Sequence, residues 1–201
     1  MFITIEGIDG SGKSTLAQRA VALLEKAGRK TLWTREPGGW EHGDLIRSLL
    51  LNGTLKNDLT EIMLFLADRC EHVKQVIEPA LHEGLCVVCE RYCDSTRAYQ
   101  CWGRGIERSK LEDLMEWCQF PEPDLTIWLD VSVNTACKRI MARGRADRIE
   151  SETLDFHRRV SEGFRALSAE YADRFVQLSS EKSPDELELE LKKIFADRGI
   201  I

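Results

Sequence analysis

The sequence has no long apolar run and no excess of positive charge. No stretch approaches about 18 consecutive apolar residues, the length of a membrane-spanning helix. Residues 1–30 also lack a basic segment followed by an apolar core and a small-residue cleavage site. The formal net charge of −6 argues against the broad basic face that binds DNA or RNA. We therefore expect a cytoplasmic protein that binds neither a membrane nor a nucleic acid, and in which any phosphate site is local.

Repeats, low-complexity tracts and Pro/Gly/Ser-rich linkers are missing as well. With 201 residues, 43% of them hydrophobic, the chain can bury a full core, and we expect a single domain over residues 1–201. Seven cysteines without a secretory signal predict reduced thiols rather than a disulfide framework. Cys86 and Cys89 have the spacing of half a zinc site, but no second pair supplies the other ligands. We interpret both as small apolar residues of a buried strand.

Short apolar runs alternate with longer helical patterns, which is typical of parallel βαβ units and predicts an α/β fold. Five strands are predicted, at Phe2–Glu6, Lys30–Thr34, Leu85–Glu90, Asp124–Asp130 and Arg174–Leu178. The predicted helices are Lys13–Ala27, Leu59–Glu83, Lys110–Gln119, Val133–Arg143, Thr153–Ala172 and Pro184–Asp197. Polar or Gly-rich segments interrupt this pattern at residues 36–44, 103–108 and 143–152. Ligands of an open parallel sheet bind in the crevice at the carboxyl ends of the strands.

Residues 7–14 match the P-loop pattern G-x-x-x-x-G-K-[ST], between a predicted strand and a predicted helix. The pattern predicts a P-loop NTPase fold that binds a nucleoside triphosphate with Mg²⁺. Backbone N–H groups of the loop turn toward the β-phosphate, Lys13 reaches the β and γ oxygens, and Ser14 offers its hydroxyl to the metal. The predicted nucleotide-binding residues are Gly7, Ile8, Asp9, Gly10, Ser11, Gly12, Lys13, Ser14 and Thr15.

A P-loop by itself does not distinguish a GTPase switch, a mechanical ATPase and a small-molecule kinase. The Asn-Lys-x-Asp sequence of GTPases is missing after Asp124–Asp130, and the chain has no room for the extra domains of a mechanical ATPase. Arg35 and Arg91 each follow a predicted strand, where a guanidinium can hold a monophosphate opposite the P-loop. The alternative is that each arginine forms a structural ion pair, for example with Glu36 or Glu90.

Four further segments resemble the ordered motifs of thymidylate kinases. They are Thr-Arg-Glu-Pro-Gly-Gly at residues 34–39, Phe-Leu-Ala-Asp-Arg at 65–69, the stretch from Glu90 to Gln100, and Asp-Arg-Ile-Glu at 147–150. The resemblance covers nearly the whole chain. It implies phosphorylation of dTMP to dTDP with ATP and Mg²⁺ in dTTP biosynthesis, and a homodimer. Two other hypotheses are a deoxynucleoside kinase, with a hydroxyl acceptor, and a non-enzymatic nucleotide switch.

The resemblance also implies roles for individual residues. Phe65 would stack on thymine and Arg69 would donate to a ring carbonyl, although helical spacing alone would make Phe65 a core residue. Thr96 and Gln100 would lie at the base edge and Tyr99 against the deoxyribose. The other substrate-binding residues implied are Asp9, for the sugar 3′-hydroxyl or the metal shell, and Arg35, Glu36, Pro37, Arg91 and Ser95.

Two residues depart from the family pattern. Glu90 stands where the family usually has Asp, and we assign it, with Ser14, to the metal shell or to proton handling. Trp40 replaces a small hydroxyl residue.

Residues 143–148 form a short basic loop, and we expect the segment of about 143–152 that contains it to close as a lid over ATP. Phosphoryl transfer spreads negative charge over the equatorial oxygens, so cations delivered by a lid favour catalysis. In the family the catalytic arginine comes from the P-loop or from this lid, and here the P-loop position is Gly10. The sequence therefore resembles the bacterial type, in which Arg143 and Arg145 are the preferred catalytic residues. Arg148 is the next candidate and is expected to bind ATP. A solvated charge cluster is the alternative.

Overall fold

A computed structural model describes residues 1–144 and 146–201. Its five strands all pair in parallel, in the order β2-β3-β1-β4-β5, and each lies within one residue of its predicted bounds. The predicted α/β class and five-stranded parallel sheet are therefore confirmed. The strands are β1 (Phe2–Glu6), β2 (Thr31–Arg35), β3 (Cys86–Glu90), β4 (Leu125–Asp130) and β5 (Phe175–Ser179).

The helices surround this sheet on both faces. The stretch predicted as one helix over Leu59–Glu83 is α3 (Asp58–His72), a π-helical turn (Val73–Ile77) and α4 (Glu78–His82). Two helical regions were not predicted: α2 (Gly43–Asn52), whose first residues fall in the predicted 36–44 loop, and α5 (Cys93–Thr96) with the π-helical segment Arg97–Gly103 that continues it. The remaining helices are α1 (Lys13–Lys26), α6 (Arg108–Cys118), α7 (Val133–Ala142), α8 (Leu154–Glu170) and α9 (Pro184–Asp197).

The core lies on both faces of the central strands, because successive side chains of a strand point to opposite faces. Ile3 and Val88 pack with α1 and α9, whereas Phe2 and Val87 pack toward α3 and α6. Cys86 and Cys89 are both buried in β3, one on each face, as expected for apolar strand residues. Within the described parts of the chain, no helix combines the length and the apolar character needed to cross a membrane.

Two glycines bring the π-helical segment Arg97–Gly103 unusually close to α8. A Cβ on Gly103 would lie 2.7 Å from a ring carbon of Phe156, and one on Gly163 would lie 3.0 Å from the indole of Trp102. Contacts this short are not tolerated without movement of the backbone or the ring. The close packing fixes the segment at the carboxyl edge of the sheet, where it carries Tyr99 and Gln100.

Glu6, the last residue of β1, is a fully buried carboxylate. It accepts hydrogen bonds from the backbone N–H groups of Tyr92, at 2.8 Å, and Ser95, at 3.3 Å, and from the Ser95 hydroxyl. Burial, and next the nearby Asp94, raise the pKa of Glu6 from 4.5 to about 7, although these hydrogen bonds and Arg91 act in the opposite direction. The folded protein therefore favours the protonated form of Glu6.

Replacing Glu6 by Gln should make folding less sensitive to pH. In the wild type, a raised folded-state pKa gives stability that is present below the unfolded pKa of 4.5 and is lost as pH rises through about 7. The whole effect amounts to about 3 kcal/mol. Urea unfolding at a series of pH values should show the wild-type free energy of unfolding falling over this window relative to Glu6→Gln. Glu162→Gln, at an exposed site on α8, should follow the wild type, and parallel curves for wild type and Glu6→Gln would contradict the assignment.

Candidate functional site

A cavity of about 470 Å³ lies at the carboxyl edge of the sheet. It joins the P-loop to the residues predicted on the acceptor side. The predicted residues that line it are Asp9, Gly10, Gly12, Lys13, Ser14, Thr15, Arg35, Glu36, Pro37, Phe65, Arg69, Glu90, Arg91, Ser95, Thr96, Tyr99, Gln100 and Arg143. Gly7, Ile8, Ser11 and Arg148 do not line it. Arg145 lies outside the described residues.

The P-loop depends on glycine for its shape. Gly7, Gly10 and Gly12 have φ values of +140°, +78° and +93°. A Cβ on Gly7 or Gly10 would lie 2.6 or 2.5 Å from a backbone oxygen of β4 or α7, respectively. Other residues at these positions would be strained and would clash, so the sequence pattern is a steric requirement of this loop.

Lys13 lies inside the loop, where its Nζ donates to the carbonyls of Gly7, at 3.1 Å, and Ile8, at 2.9 Å. Burial, and then the positive charge of Arg91, lower the pKa of Lys13 from 10.5 to about 7. Asp9 and other nearby carboxylates oppose this shift. A bound phosphate would favour the ammonium form of Lys13, because an opposite charge stabilises the charged state.

Asp9 and Arg91 form an ion pair across the cavity. The second oxygen of Asp9 accepts the Tyr99 hydroxyl at 2.7 Å, and Arg91 Nη1 also donates to Gly7 O at 3.1 Å and to Ser95 Oγ at 3.2 Å. Burial by itself would raise the pKa of Asp9, but Arg91 and Lys13 hold it below its usual value. Arg91 therefore has an ion-pair partner, as the structural alternative predicts, but that partner is Asp9 and not Glu90.

Arg47 brings a third guanidinium to the cavity, beside Arg35 and Arg91. It extends from α2 and donates to the Pro37 carbonyl at 2.8 Å. Burial lowers the pKa of Arg47, and the positive charges of Arg35 and Arg91 lower it further. Three mutually repelling cations in one cavity wall form a site for a multiply charged anion. Sequence reasoning missed Arg47 because it missed α2, and no motif contains it.

Two residues that line the cavity, Arg69 and Gln100, each have one buried polar atom without a partner among the described residues, a donor and an acceptor respectively. Arg69 is 2% exposed; its Nε donates to Glu36 and its Nη2 to Thr96 Oγ1, but Nη1 makes no hydrogen bond. The Gln100 amide nitrogen donates to Glu61 at 2.8 Å, which leaves the amide oxygen without a bond. Because a carboxylate only accepts, this contact fixes the orientation of the amide.

Glu36 is held by hydrogen bonds to two buried side chains, and within the described residues it does not form the ion pair with Arg35 that was the structural alternative. Glu36 instead binds Arg69 at 2.7 Å and His72 Nδ1 at 2.9 Å. The same loop is held by Asp68, which accepts from the backbone N–H of Gly38, at 2.9 Å, and from the indole of Trp40, at 2.8 Å. The departure at Trp40 therefore has a structural role, because its indole N–H helps to fix this loop.

Glu90 reaches the P-loop. One carboxylate oxygen accepts the Ser14 hydroxyl at 2.6 Å, and the other accepts the indole N–H of Trp33 at 2.9 Å. A hydroxyl beside a carboxylate suits Mg²⁺, which prefers oxygen ligands and keeps several waters and phosphate oxygens around it. No group of three or more His, Cys, Asp or Glu side chains within residues 1–144 and 146–201 is arranged to hold a metal. The donor set therefore fits a magnesium ion carried mainly by phosphates.

The lid arginines have different partners. Arg143 lines the cavity and donates to Glu150. Arg148, predicted at the ATP, instead donates to Glu61 of α3 and to the Leu50 carbonyl. Arg139 of α7 was not predicted, yet it lines the cavity and contacts Ser180 and the carbonyl of Gly10. It lies in a regular helical pattern without a motif, so no sequence signal separates it from a surface residue. The other unpredicted lining residues are Leu51, Asp147, Ile149 and Glu150.

A smaller cavity of about 290 Å³ lies on the other side of the P-loop. It shares Gly12, Thr15 and Arg139 with the main cavity and extends toward Ser180 and Lys182. The P-loop therefore has open space on both sides of its glycine turn.

Known proteins match most of this chain. A family model described as thymidylate kinase matches residues 5–191. The thymidylate kinase of Synechococcus sp. (strain JA-2-3B'a(2-13)) is 44% identical over 199 residues, or 98% of this chain and 95% of the relative. That of Trichlorobacter lovleyi is 45% identical over 193 residues, or 92% and 91% of the two chains. A crystal structure of thymidylate kinase from Ehrlichia chaffeensis, 32% identical, covers 98% of both chains with a TM-score of 0.81. The chain therefore belongs to the thymidylate kinase family.

Proposed function

We propose that this protein transfers the γ-phosphoryl group of ATP to dTMP and forms ADP and dTDP. The observation that carries the proposal is a single cavity that runs from the P-loop, past three arginines, to a buried donor and acceptor pair. A triphosphate, a monophosphate and a flat polar base require these features in this order. Membership of the thymidylate kinase family supports the same function.

ATP binds with its phosphates in the P-loop. The β-phosphate accepts from the backbone N–H groups of the loop, and the γ-phosphate lies within reach of Lys13. The smaller cavity between Thr15 and Ser180 receives the nucleoside part of ATP, beside the Arg139 guanidinium. Ser14 and Glu90 would hold Mg²⁺ together with the phosphates, and the ion would supply charge neutralisation at the β and γ oxygens.

The acceptor phosphate lies among Arg35, Arg47 and Arg91. Guanidinium groups bind phosphate with paired N–H donors, so three of them fix both its position and its orientation. The transfer needs the acceptor oxygen to approach the γ-phosphorus in line with the leaving oxygen. Holding both substrates in one cavity lowers the activation barrier, because the entropy cost of bringing them together has already been met by binding.

The base of dTMP occupies the inner end of the cavity. Arg69 Nη1 donates to a ring carbonyl, and the Gln100 amide oxygen accepts the ring N–H beside that carbonyl. Thr96 holds Arg69 in place, and the half-buried Phe65 ring forms a wall for stacking. Thymine has a carbonyl next to an N–H on one edge, so it matches this donor and acceptor. The sugar lies near Tyr99, and its 3′-hydroxyl binds Asp9. Asp9 keeps its bonds to Arg91 and Tyr99 at the same time.

The lid supplies the remaining positive charge. Arg143 already lines the cavity, and its exposed side chain exchanges Glu150 for the transferring phosphoryl group. Arg145 and Arg148 remain candidates for the same task. The three arginines of the acceptor site disfavour a deoxynucleoside kinase, whose acceptor is an uncharged hydroxyl. These three arginines and Arg143 of the lid line the same cavity. A nucleotide switch has no acceptor substrate and would not need this arrangement.

The protein forms a homodimer in this proposal. Large apolar side chains are exposed along α3 and α6, namely Leu59, Met63 and Trp117, and Trp117 is 85% exposed. The carboxyl-terminal ends of α3 and α6 are neighbours, since Cys70 Sγ lies 3.9 Å from Cys118 Sγ. Large exposed apolar side chains on neighbouring helices are typical of protein interfaces. A cytoplasmic location stays a prediction.

The acceptor specificity tests the proposed function most directly. A coupled assay of ADP release should give the highest kcat/KM with dTMP and a value about 10- to 200-fold lower with dUMP, because one methyl group in an apolar pocket is worth about 1–3 kcal/mol. UMP should be worse because a ribose hydroxyl crowds Tyr99, and dGMP and AMP should be poor because a purine does not fit beside Phe65.

In Lys13→Ala the loss of this cation should lower turnover by at least about 100-fold. The activity that remains in this variant, prepared in the same way, is therefore an upper limit for contaminating kinases. A higher kcat/KM for dGMP or AMP than for dTMP would overturn the assignment to thymidylate. Phosphorylation of thymidine itself, but not of dTMP, would establish the deoxynucleoside kinase instead.

Arg143→Ala tests the lid. If Arg143 acts on the charge that develops during transfer, kcat should fall by about 100-fold while the affinity for ATP, measured by calorimetry, changes little. Arg165→Ala is the matched control, because Arg165 is an exposed arginine of α8 away from the cavity. Equal kcat values for the two variants would identify Arg143 as a solvated surface charge.

Met63→Glu tests the dimer, because a charge inside an apolar interface is costly. Analytical ultracentrifugation should show a dimer for the wild type and a monomer for the variant. Met141→Glu places the same charge on another exposed methionine, on α7 at 78% exposure, and should leave the dimer intact. A monomeric wild type would refute the proposal.

A further inference from the structure

Trp33 and Glu90 lie on neighbouring strands and face the same side of the sheet. In the β2–β3 register Trp33 is opposite Val88, and Glu90 is two residues further along β3. Residues in this diagonal relation share a face and can meet when the side chains are long. This face carries α1, which begins at the P-loop and contains Ser14. The indole of Trp33 therefore points along the sheet toward the nucleotide end.

The contact between these residues is polar. The Trp33 indole N–H donates to one Glu90 oxygen at 2.9 Å, while the other oxygen accepts the Ser14 hydroxyl at 2.6 Å. Trp33 is 42% exposed, whereas Glu90 is only 7% exposed. The Trp33 side chain is therefore only partly buried, and its N–H group contacts the buried Glu90 carboxylate. A buried carboxylate needs such donors to offset its loss of hydration.

Glu90 requires this support more than a shorter carboxylate would. A glutamate has one more rotatable bond than an aspartate, so its carboxylate has more orientations available. Its main chain is fixed in β3, and Ser14 contacts only one of its oxygens. Without a second donor the carboxylate would rotate away from the P-loop or bind Ser14 in several geometries. Trp33 removes this freedom.

We propose that Trp33 is a positioning residue that orients the Glu90 carboxylate at the magnesium side of the P-loop. This inference rests on the proposed function for the identity of the ligand, Mg·ADP or Mg·ATP, but not for the identity of the acceptor. Trp33 itself contacts neither substrate. It acts through Glu90, and its loss is expected to weaken the part of nucleotide binding that depends on Mg²⁺.

Binding of ADP with and without Mg²⁺ provides the first test. Trp33→Phe keeps an aromatic ring and removes the N–H, so calorimetry should show an affinity for Mg·ADP about 3- to 10-fold weaker, because only part of the lost hydrogen-bond energy is transmitted to the ligand through Glu90. Affinity for ADP in EDTA should not change. An equal loss in both conditions, or no loss in either, would overturn the proposal.

Trp40→Phe is the matched control, because it also removes one indole N–H from a carboxylate, that of Asp68. It should leave the Mg²⁺ dependence of ADP binding unchanged and weaken dTMP binding, since Asp68 holds the acceptor-side loop. A double-mutant cycle with Glu90→Asp adds a second criterion. If Trp33 acts through Glu90, Trp33→Phe should cost little in the Glu90→Asp background, and an undiminished cost there would overturn the proposal.

The indole N–H resonances give a readout without catalysis. In ¹⁵N-labelled protein with bound ADP, the Trp33 indole signal is identified by its absence from Trp33→Phe. Addition of MgCl₂ should shift this signal and leave that of Trp40 in place. A Trp33 signal that does not respond, in a sample where calorimetry shows Mg²⁺-dependent binding, would refute the contact. A protein that phosphorylates another acceptor would still give the predicted shift, so the two proposals fail separately.

Discussion

The ion pair between Asp9 and Arg91 connects the two halves of the site. Asp9 belongs to the P-loop, and Arg91 follows β3 with a φ of +64°, a left-handed conformation that costs an L-residue roughly 1–2 kcal/mol. The ion pair, the Tyr99 hydroxyl and the Gly7 carbonyl together hold the residue in this conformation. As a result, the distance between the phosphate cradle and Arg91 is set by groups that bind each other directly.

The electrostatics of the cavity follow from this arrangement. Cations exceed anions around the acceptor position, and burial together with neighbouring positive charge lowers the pKa of both Lys13 and Arg47. When ATP and dTMP bind, their phosphate groups therefore relieve the repulsion among these buried cations. Glu36 lies among the lining residues and Glu6 and Asp68 lie behind them, and these acidic side chains hold backbone N–H groups, Arg69 and His72 in place. Preorganised charge of this kind acts without rearrangement when the substrates arrive.

Strands and the P-loop were predicted well because their signals are local. A central parallel strand is apolar throughout, and the loop needs glycine at fixed positions for steric reasons. Gly43–Asn52 was not predicted because its first turn is continuous with a polar, Gly-rich segment. Arg47 and Arg139 reach the cavity only through the packing of α2 and α7, so their sequence context is that of ordinary surface arginines. The free Nη1 of Arg69 likewise depends on Glu36 and Thr96, which lie 33 and 27 residues away.

The two departures from the family pattern also depend on contacts that a local sequence pattern does not predict. Position 40 and position 90 each look anomalous when they are compared with a motif, because a motif contains only neighbours in sequence. The Trp40 indole binds Asp68, 28 residues away, and the Glu90 carboxylate binds Trp33, 57 residues away. In both cases an indole N–H satisfies a carboxylate that helps to shape the cavity. Each departing residue therefore makes a contact with a residue distant in sequence, which only the packing of β2, β3 and α3 brings within reach.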